Sequence, residues 1–449
     1  MHSTAFVTDI VIGLFALFIL HRLSRRLYRK YPPGPPKLPL IGNLLQIELK
    51  AEWVTYHQWA LKYESDIIHL SIAGLSVVIL DTLEAVYDLL DKRSSIYSDR
   101  PRMVMLNEMI GWSWAFPFRS ADHSWREQRR VIHHEFHPKA VTKYRPVELK
   151  AVHNLLKRLH QYPDSCFIGE IILTTIYGIA IKSSDDPFVA TAIKAMEVIS
   201  LATSPGQFLV ESLPILRYIP AWFPYATFKR QSIQWQQNAI DAFTCTFNAA
   251  HQDSNLSVLR SFMLEMMYHP EVQVKAQKEI DIILKGERLP LFSDIDSLPY
   301  ITAIMKEILR FSPVAPLSAP HATNVDDVYN GYFIPAGSVI LPNTWAILHD
   351  PKSYHDPFTF NPERFLKNEK LNPNVLDPFA VFGYGRRICP GRHMVIDILW
   401  ITMASILAVF CIQKTHESTE EDANPSHPLP FNCRILPRSS QHLKLILEN

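Results

Sequence analysis

Near its C-terminus the chain reads Phe382-Gly383-Tyr384-Gly385-Arg386-Arg387-Ile388-Cys389-Pro390-Gly391, followed by a long apolar run. A glycine-rich loop that delivers one cysteine to the start of a core helix leaves few folds open. The N–H groups and the dipole at a helix start favour a thiolate. A thiolate is a nucleophile or a metal ligand, and the neighbours favour ligand. Phe382 can pack on a flat cofactor, and Gly385 permits a close backbone approach and an unusual turn. Arg387 can pair with a cofactor carboxylate, and Pro390 suits a first helical position.

Phe-x-x-Gly-x-Arg-x-Cys-x-Gly, complete here, resembles the haem-binding loop of the cytochrome P450 superfamily, in its microsomal form and with the flavour of fungal secondary metabolism. The resemblance implies an α-rich cytochrome P450 fold with a minor β region. It implies haem b (iron protoporphyrin IX) with Cys389 as iron ligand, and Phe382, Gly385, Arg387 and Gly391 as cofactor contacts. Glu307 and Arg310, three apart in a helical segment with apolar flanks, join Arg364 of Pro362-Glu363-Arg364-Phe365 in the pattern of the family's structural network. Trp125 and Arg129, four apart, resemble the helix whose side chains donate to the haem propionates. His321 is a further candidate donor.

The distal side departs from the pattern. The small-Gly-x-acid-Thr motif expected on a central helix corresponds to Ala250-His251-Gln252-Asp253-Ser254. Asp253 and Ser254 keep an acid and an alcohol for proton relay, but His251 stands where glycine leaves room for dioxygen. An internal deletion is expected near 249/252. A skipped exon and a genuinely degenerate protein both account for it.

Net charge is +1, so no global field points to nucleic acid. The five cysteines are scattered without a CxxC pair, which argues against a disulfide framework and structural zinc. The dense group His133, His134 and His137 lacks HExxH spacing and reads as a polar helix face.

Residues 4–20 are apolar and are followed by Arg22, Arg25, Arg26, Arg29 and Lys30. That order predicts a signal-anchor helix with the remainder cytosolic. The expected organisation is an anchor over 1–21, a basic and proline-rich hinge over 22–39, and a haem-thiolate catalytic domain over 40–449. The setting is a single-pass protein of the endoplasmic reticulum membrane. No glycine-rich dinucleotide fingerprint is present, so electrons are expected from an NADPH–cytochrome P450 reductase.

Along the body, alternation over 67–80 with a turn at Gly74 predicts two strands, and Asn330-Gly331 predicts a hairpin. Residues 120–310 carry helical spacing, and 351–380 reads as irregular. The run 394–413 predicts one buried core helix. The closing LKLIL predicts a strand.

The function expected is a monooxygenase acting on an apolar small molecule. The alternatives are a haem-thiolate protein that uses peroxide or rearranges oxygenated substrates, and an inactive pseudoenzyme.

Overall fold

The computed structural model describes residues 29–48, 50–161, 194–195, 198–199, 201–202, 207–245, 252–414 and 433–447. The expected anchor at 1–21 and His251 lie outside them. So do the side chains of Asp253 and Ser254, although their backbone is helical.

In chain order the principal elements are α1 (Glu52–Lys62), β1 (Ile67–Ile72), β2 (Leu75–Leu80), α2 (His123–Phe136), α3 (Arg145–Gln161), α4 (Thr227–Cys245), α5 (Gln252–Tyr268), α6 (Pro270–Leu284) and α7 (Pro299–Phe311). Then come β3 (His321–Ala322), β4 (Asp327–Tyr329), β5 (Tyr332–Ile334), β6 (Val339–Pro342), α8 (Thr344–Leu348), α9 (Arg392–Val409), β7 (Phe410–Lys414), β8 (Cys433–Pro437) and α10 (Ser440–Leu447). The expected α-rich architecture with small sheets is what is observed.

A four-stranded sheet has the order β1-β2-β6-β3, and β6 runs parallel to β2. The β1–β2 hairpin turns at Ala73-Gly74, and Asn330-Gly331 joins β4 to β5, both as the alternation and turn chemistry predict. The stretch between α8 and the cysteine loop is irregular but for one short turn at Pro362–Phe365 and a two-residue hairpin.

The core centres on α9, which is apolar on all sides and almost wholly buried. A helix with no polar face needs cover all round, and α3, α5, α6 and α7 provide much of it. Not every polar group within this core is paired, since Thr402 Oγ1 on α9 and Ser261 Oγ on α5 have no partner among the described residues. Trp400 Nε1 donates to Thr302 Oγ1 at 3.0 Å, which links α9 to α7.

Two expectations need correction. The run 394–413 is not one helix: α9 closes at Val409, and Phe410–Lys414 becomes a strand paired with Cys433–Pro437. Side chains on α6 secure it, because Gln273 both donates to and accepts from the Ile412 backbone (3.1 and 2.7 Å), as a neighbouring strand would. The LKLIL segment is helical, not extended. Leu443, Ile446 and Leu447 follow helical spacing, Ile446 is buried, and Ser439 Oγ accepts from the His442 N–H at 3.4 Å at the helix start.

Candidate cofactor site around Cys389

The cysteine loop closes on itself, with the Cys389 N–H donating to the Phe382 carbonyl at 2.7 Å. Gly385 sits at φ +54°, and a Cβ there would stand 2.0 Å from the Leu90 carbonyl oxygen. The Asp91 carboxylate accepts the Gly385 N–H. Glycine is therefore required at 385 both by conformation and by contact. Gly391 differs: its φ is −85°, and a Cβ would meet nothing within 4 Å. No contact among the described residues demands glycine there.

Helix α9 starts at Arg392, with Gly391 as its N-cap. Pro390 is thus not the first helical residue, because the loop needs two more residues to turn into the helix axis. The expectation that the helix start alone favours a thiolate also needs correction. Burial pushes the Cys389 thiol up from its ordinary pKa, against the opposing pull of the Gly391 and Arg392 N–H groups and the Arg129 and Arg392 guanidiniums. A bound cation is what would turn this balance toward the anion.

Cys389 opens onto a cavity of about 320 Å³. Phe382, Trp125, Arg129, Arg387 and His321 line it too, so predicted residues from three segments, the cysteine loop, α2 and β3, converge in one place. Trp125 is set by its helix cap: Asp122 Oδ1 accepts the Trp125 N–H at 2.7 Å at the start of α2. Its ring stacks on Phe116 (centroids 5.7 Å apart), and the Arg387 guanidinium lies 4.0 Å over it. Arg387 Nε donates to Ser98 O and Nη2 to Arg119 O, both at 2.7 Å. His133 and His134 lie on the exposed face of α2, away from any such convergence.

Two buried donors in this wall have no acceptor among the described residues: Trp125 Nε1 and Arg387 Nη1. Native interiors seldom leave such groups unmet. Among the described residues the cavity is lined by three guanidiniums and no carboxylate. Burial pushes Arg387 down to about 10 and Arg100 to about 9, and it lowers Arg129. A cysteine, spare donors and a group of guanidiniums offset only in part by Asp99 and Asp122 fit a metal-bearing cofactor that carries carboxylates.

His321 meets the cavity on different terms. Its Nδ1 donates to the Tyr97 carbonyl at 2.9 Å, and burial, reinforced by Arg100, lowers its pKa to about 3. The ring is neutral and its second nitrogen carries a lone pair, so in this state it accepts rather than donates. Arg100 was not foreseen. It donates to Pro117 O and Ala319 O, both at 2.9 Å, and its Nη1 also reaches Pro320 O. No local pattern marks it, because its partners lie 17 to 220 residues away.

The Glu307–Arg310–Arg364 cluster is assembled behind the loop. Arg310 grips Glu307 with two bonds of 2.8 and 2.7 Å, and both side chains are fully buried. Arg364 Nε adds a third at 3.1 Å. Backbone carbonyls of Leu348 and Pro357 accept from Arg310 Nη1, and those of His355, Asp356 and Thr359 accept from Arg364. The flanking Ile304, Ile308 and Leu309 signalled this burial in the sequence.

Asp253 and Ser254 fall in the first turn of α5, whose Val258 lines the cavity. The helix thus borders the site, while the two side chains lie outside the description.

A family model described as Cytochrome P450 matches residues 32–230 and 225–434. Cytochrome P450 monooxygenase 98 of Postia placenta is 39% identical over 98% of this chain and 97% of its own length. A cytochrome P450 monooxygenase of Armillaria gallica is 36% identical over the whole of both chains. Tryptamine 4-monooxygenase of Psilocybe cyanescens is 35% identical over 95% of this chain and 97% of its own. The first of these alignments runs over 508 positions, more than the 449 residues of this chain, so that relative carries residues that are missing here.

Proposed function

The chain belongs to the cytochrome P450 family, as a monooxygenase with haem b as cofactor, and on that footing we propose that Cys389 is the iron ligand in an oxidation of an apolar small molecule. The observation that carries this is the convergence of Cys389 with the unmet donors Trp125 Nε1 and Arg387 Nη1 in one cavity.

When bound, the haem supplies dioxygen activation and transfer of one oxygen atom to the substrate. The chain's own residues do the rest. Cys389 offers the anionic ligand. Trp125, Arg129 and Arg387 neutralise and orient the two carboxylates of the cofactor. His321 joins them only when it takes up a second proton beside those carboxylates. Phe382 covers one side, and Glu307, Arg310 and Arg364 hold the loop in place. Asp253 and Ser254 serve as the acid and alcohol that pass protons into the site.

Electrons come from an NADPH–cytochrome P450 reductase on the same membrane, because the chain carries no dinucleotide fingerprint. Residues 1–21 anchor it in the endoplasmic reticulum membrane, and the fungal origin of its relatives supports a role in secondary metabolism.

The test is a carbon-monoxide difference spectrum of the reduced protein. The wild type should show the strongly red-shifted Soret band of a thiolate-ligated haem, and Cys389→Ala should abolish that shift. The residues missing relative to the Postia protein favour a second reading, a haem-thiolate protein that works with peroxide. Turnover with peroxide and none with NADPH and reductase would select it.

A further inference from the structure

Ser318 stands between α7 and β3 and lines the cavity. Its φ is +51°, a conformation that glycine adopts freely and an L-residue only at some cost. What serine keeps there, and glycine would lack, is a hydroxyl. Ser318 Oγ lies 2.8 Å from Thr344 Oγ1, and Thr344 Oγ1 lies 2.9 Å from the Tyr384 phenol oxygen. Thr344 is fully buried and Tyr384 nearly so. Three hydroxyls therefore run in a row from the cysteine loop to the cavity wall.

Proton counting gives the row a direction. Each hydroxyl has one proton to donate, and a buried O–H without an acceptor is costly. Among the described residues the phenol of Tyr384 has Thr344 as its partner, so Tyr384 donates to Thr344. Thr344 then donates to Ser318, its other partner. The Ser318 proton finds no acceptor in the described chain and is left for the cavity. Hydrogen bonds in series polarise one another, which strengthens the last donor. Phe116, Phe118, Val314 and Ala315 supply apolar wall to the same cavity.

We propose that Ser318 is a specificity-determining residue whose hydroxyl donates to a carbonyl, ether or hydroxyl oxygen on an otherwise apolar substrate. This rests on the haem-site reading above and adds the polar feature by which a substrate is oriented.

The full-length, haem-loaded protein is titrated with cyclohexanone and with methylenecyclohexane, a pair of like shape that differ in an acceptor oxygen. Binding is followed by equilibrium dialysis and by perturbation of the Soret band, and each Kd is corrected for transfer of the probe from water to alkane. The wild type should favour the ketone about five- to tenfold, the worth of one hydrogen bond. Ser318→Gly removes the hydroxyl and suits the positive φ, so the fold stands, and the ratio should fall to about one. Tyr384→Phe vacates an acceptor on Thr344, the Ser318 proton can turn back to it, and the ratio should fall part of the way. A wild-type ratio near one, or a ratio that Ser318→Gly leaves unchanged, overturns the proposal. A wild type without the red-shifted carbon-monoxide band fails the haem-thiolate reading instead, so the two failures are distinguishable.

Discussion

Arg387 donates through Nε and Nη2 to the carbonyls of Ser98 and Arg119, which leaves Nη1 buried without a partner among the described residues, on a side chain that lines the cavity. Lysine keeps the charge but has no planar fork to hold two carbonyls and still present a third donor. Arg387→Lys should therefore reduce haem occupancy severalfold, measured as haem per polypeptide after gel filtration, while the chain remains folded by circular dichroism. A second residue gives a prediction about pH. Glu148 on α3 is buried, neither carboxyl oxygen has a partner among the described residues, and burial together with Asp397 raises its pKa to about 8, against the pull of Arg145. The folded state then binds a proton that the unfolded state has released above its own pKa near 4.5. Stability from this group is full below that value and is lost as pH rises toward 8, an effect on the order of 3 kcal/mol. Glu148→Gln should flatten the fall in Tm between pH 5 and 8. At this scale the sequence was informative where chemistry depends on local spacing: Cys389, Gly385, Arg387, and Trp125 with Arg129. It was silent on Arg100 and Glu148, whose significance lies in partners, or the lack of them, far along the chain.

The carboxylate of Glu307 receives both guanidiniums within an interior that admits almost no water. Removing one member of a buried ionic cluster strands the charges that remain, at about 3–5 kcal/mol. Glu307→Gln leaves Arg310 and Arg364 without their anion. It should yield a chain recovered mainly in the insoluble fraction, with its soluble remainder free of haem. The effect belongs to an element, because Arg364 also secures the irregular stretch before the cysteine loop through Asp356 and Thr359. Helices with long periodic patterns, such as α7, were legible from residue spacing. The end of α9 was not, because Phe410 and Ile412 suit a helix or a strand equally. Their partner strand, Cys433–Pro437, decides the matter, and no local window contains it. The short α10 was misread as a strand because five apolar-rich residues are too few to tell helical spacing from a strand, and Ile446 packing into the core decides for the helix.

For the whole molecule, an α-rich body gathers around one apolar helix, with the cofactor cavity at that helix's start. The proposed attachment to the membrane lies at the opposite end of the sequence. Deleting residues 2–21 should shift the protein from the pellet to the supernatant after an alkaline wash of microsomes, and unchanged sedimentation would refute an anchor there. Family membership was readable from the loop, since ten adjacent residues carry it. A shortfall against relatives was readable from the broken motif around Asp253 and Ser254, but what the distal side retains depends on side chains beyond those described. The substrate was not legible, because apolar walls say little about shape until the fold has brought them together.

Helix α9 is long and apolar enough to cross a bilayer by composition alone, yet it is mostly buried in protein. On a ribosome docked at the endoplasmic reticulum, such a segment is a competing substrate for the insertion machinery. It is translated late, when the helices that shelter it have already emerged, so chain order itself protects its fate. A chain cut just after Val409 and stripped of α3 would lose part of that shelter. A glycosylation tag placed behind α9 should then report misinsertion, whereas the same tag on the intact protein should stay unmodified.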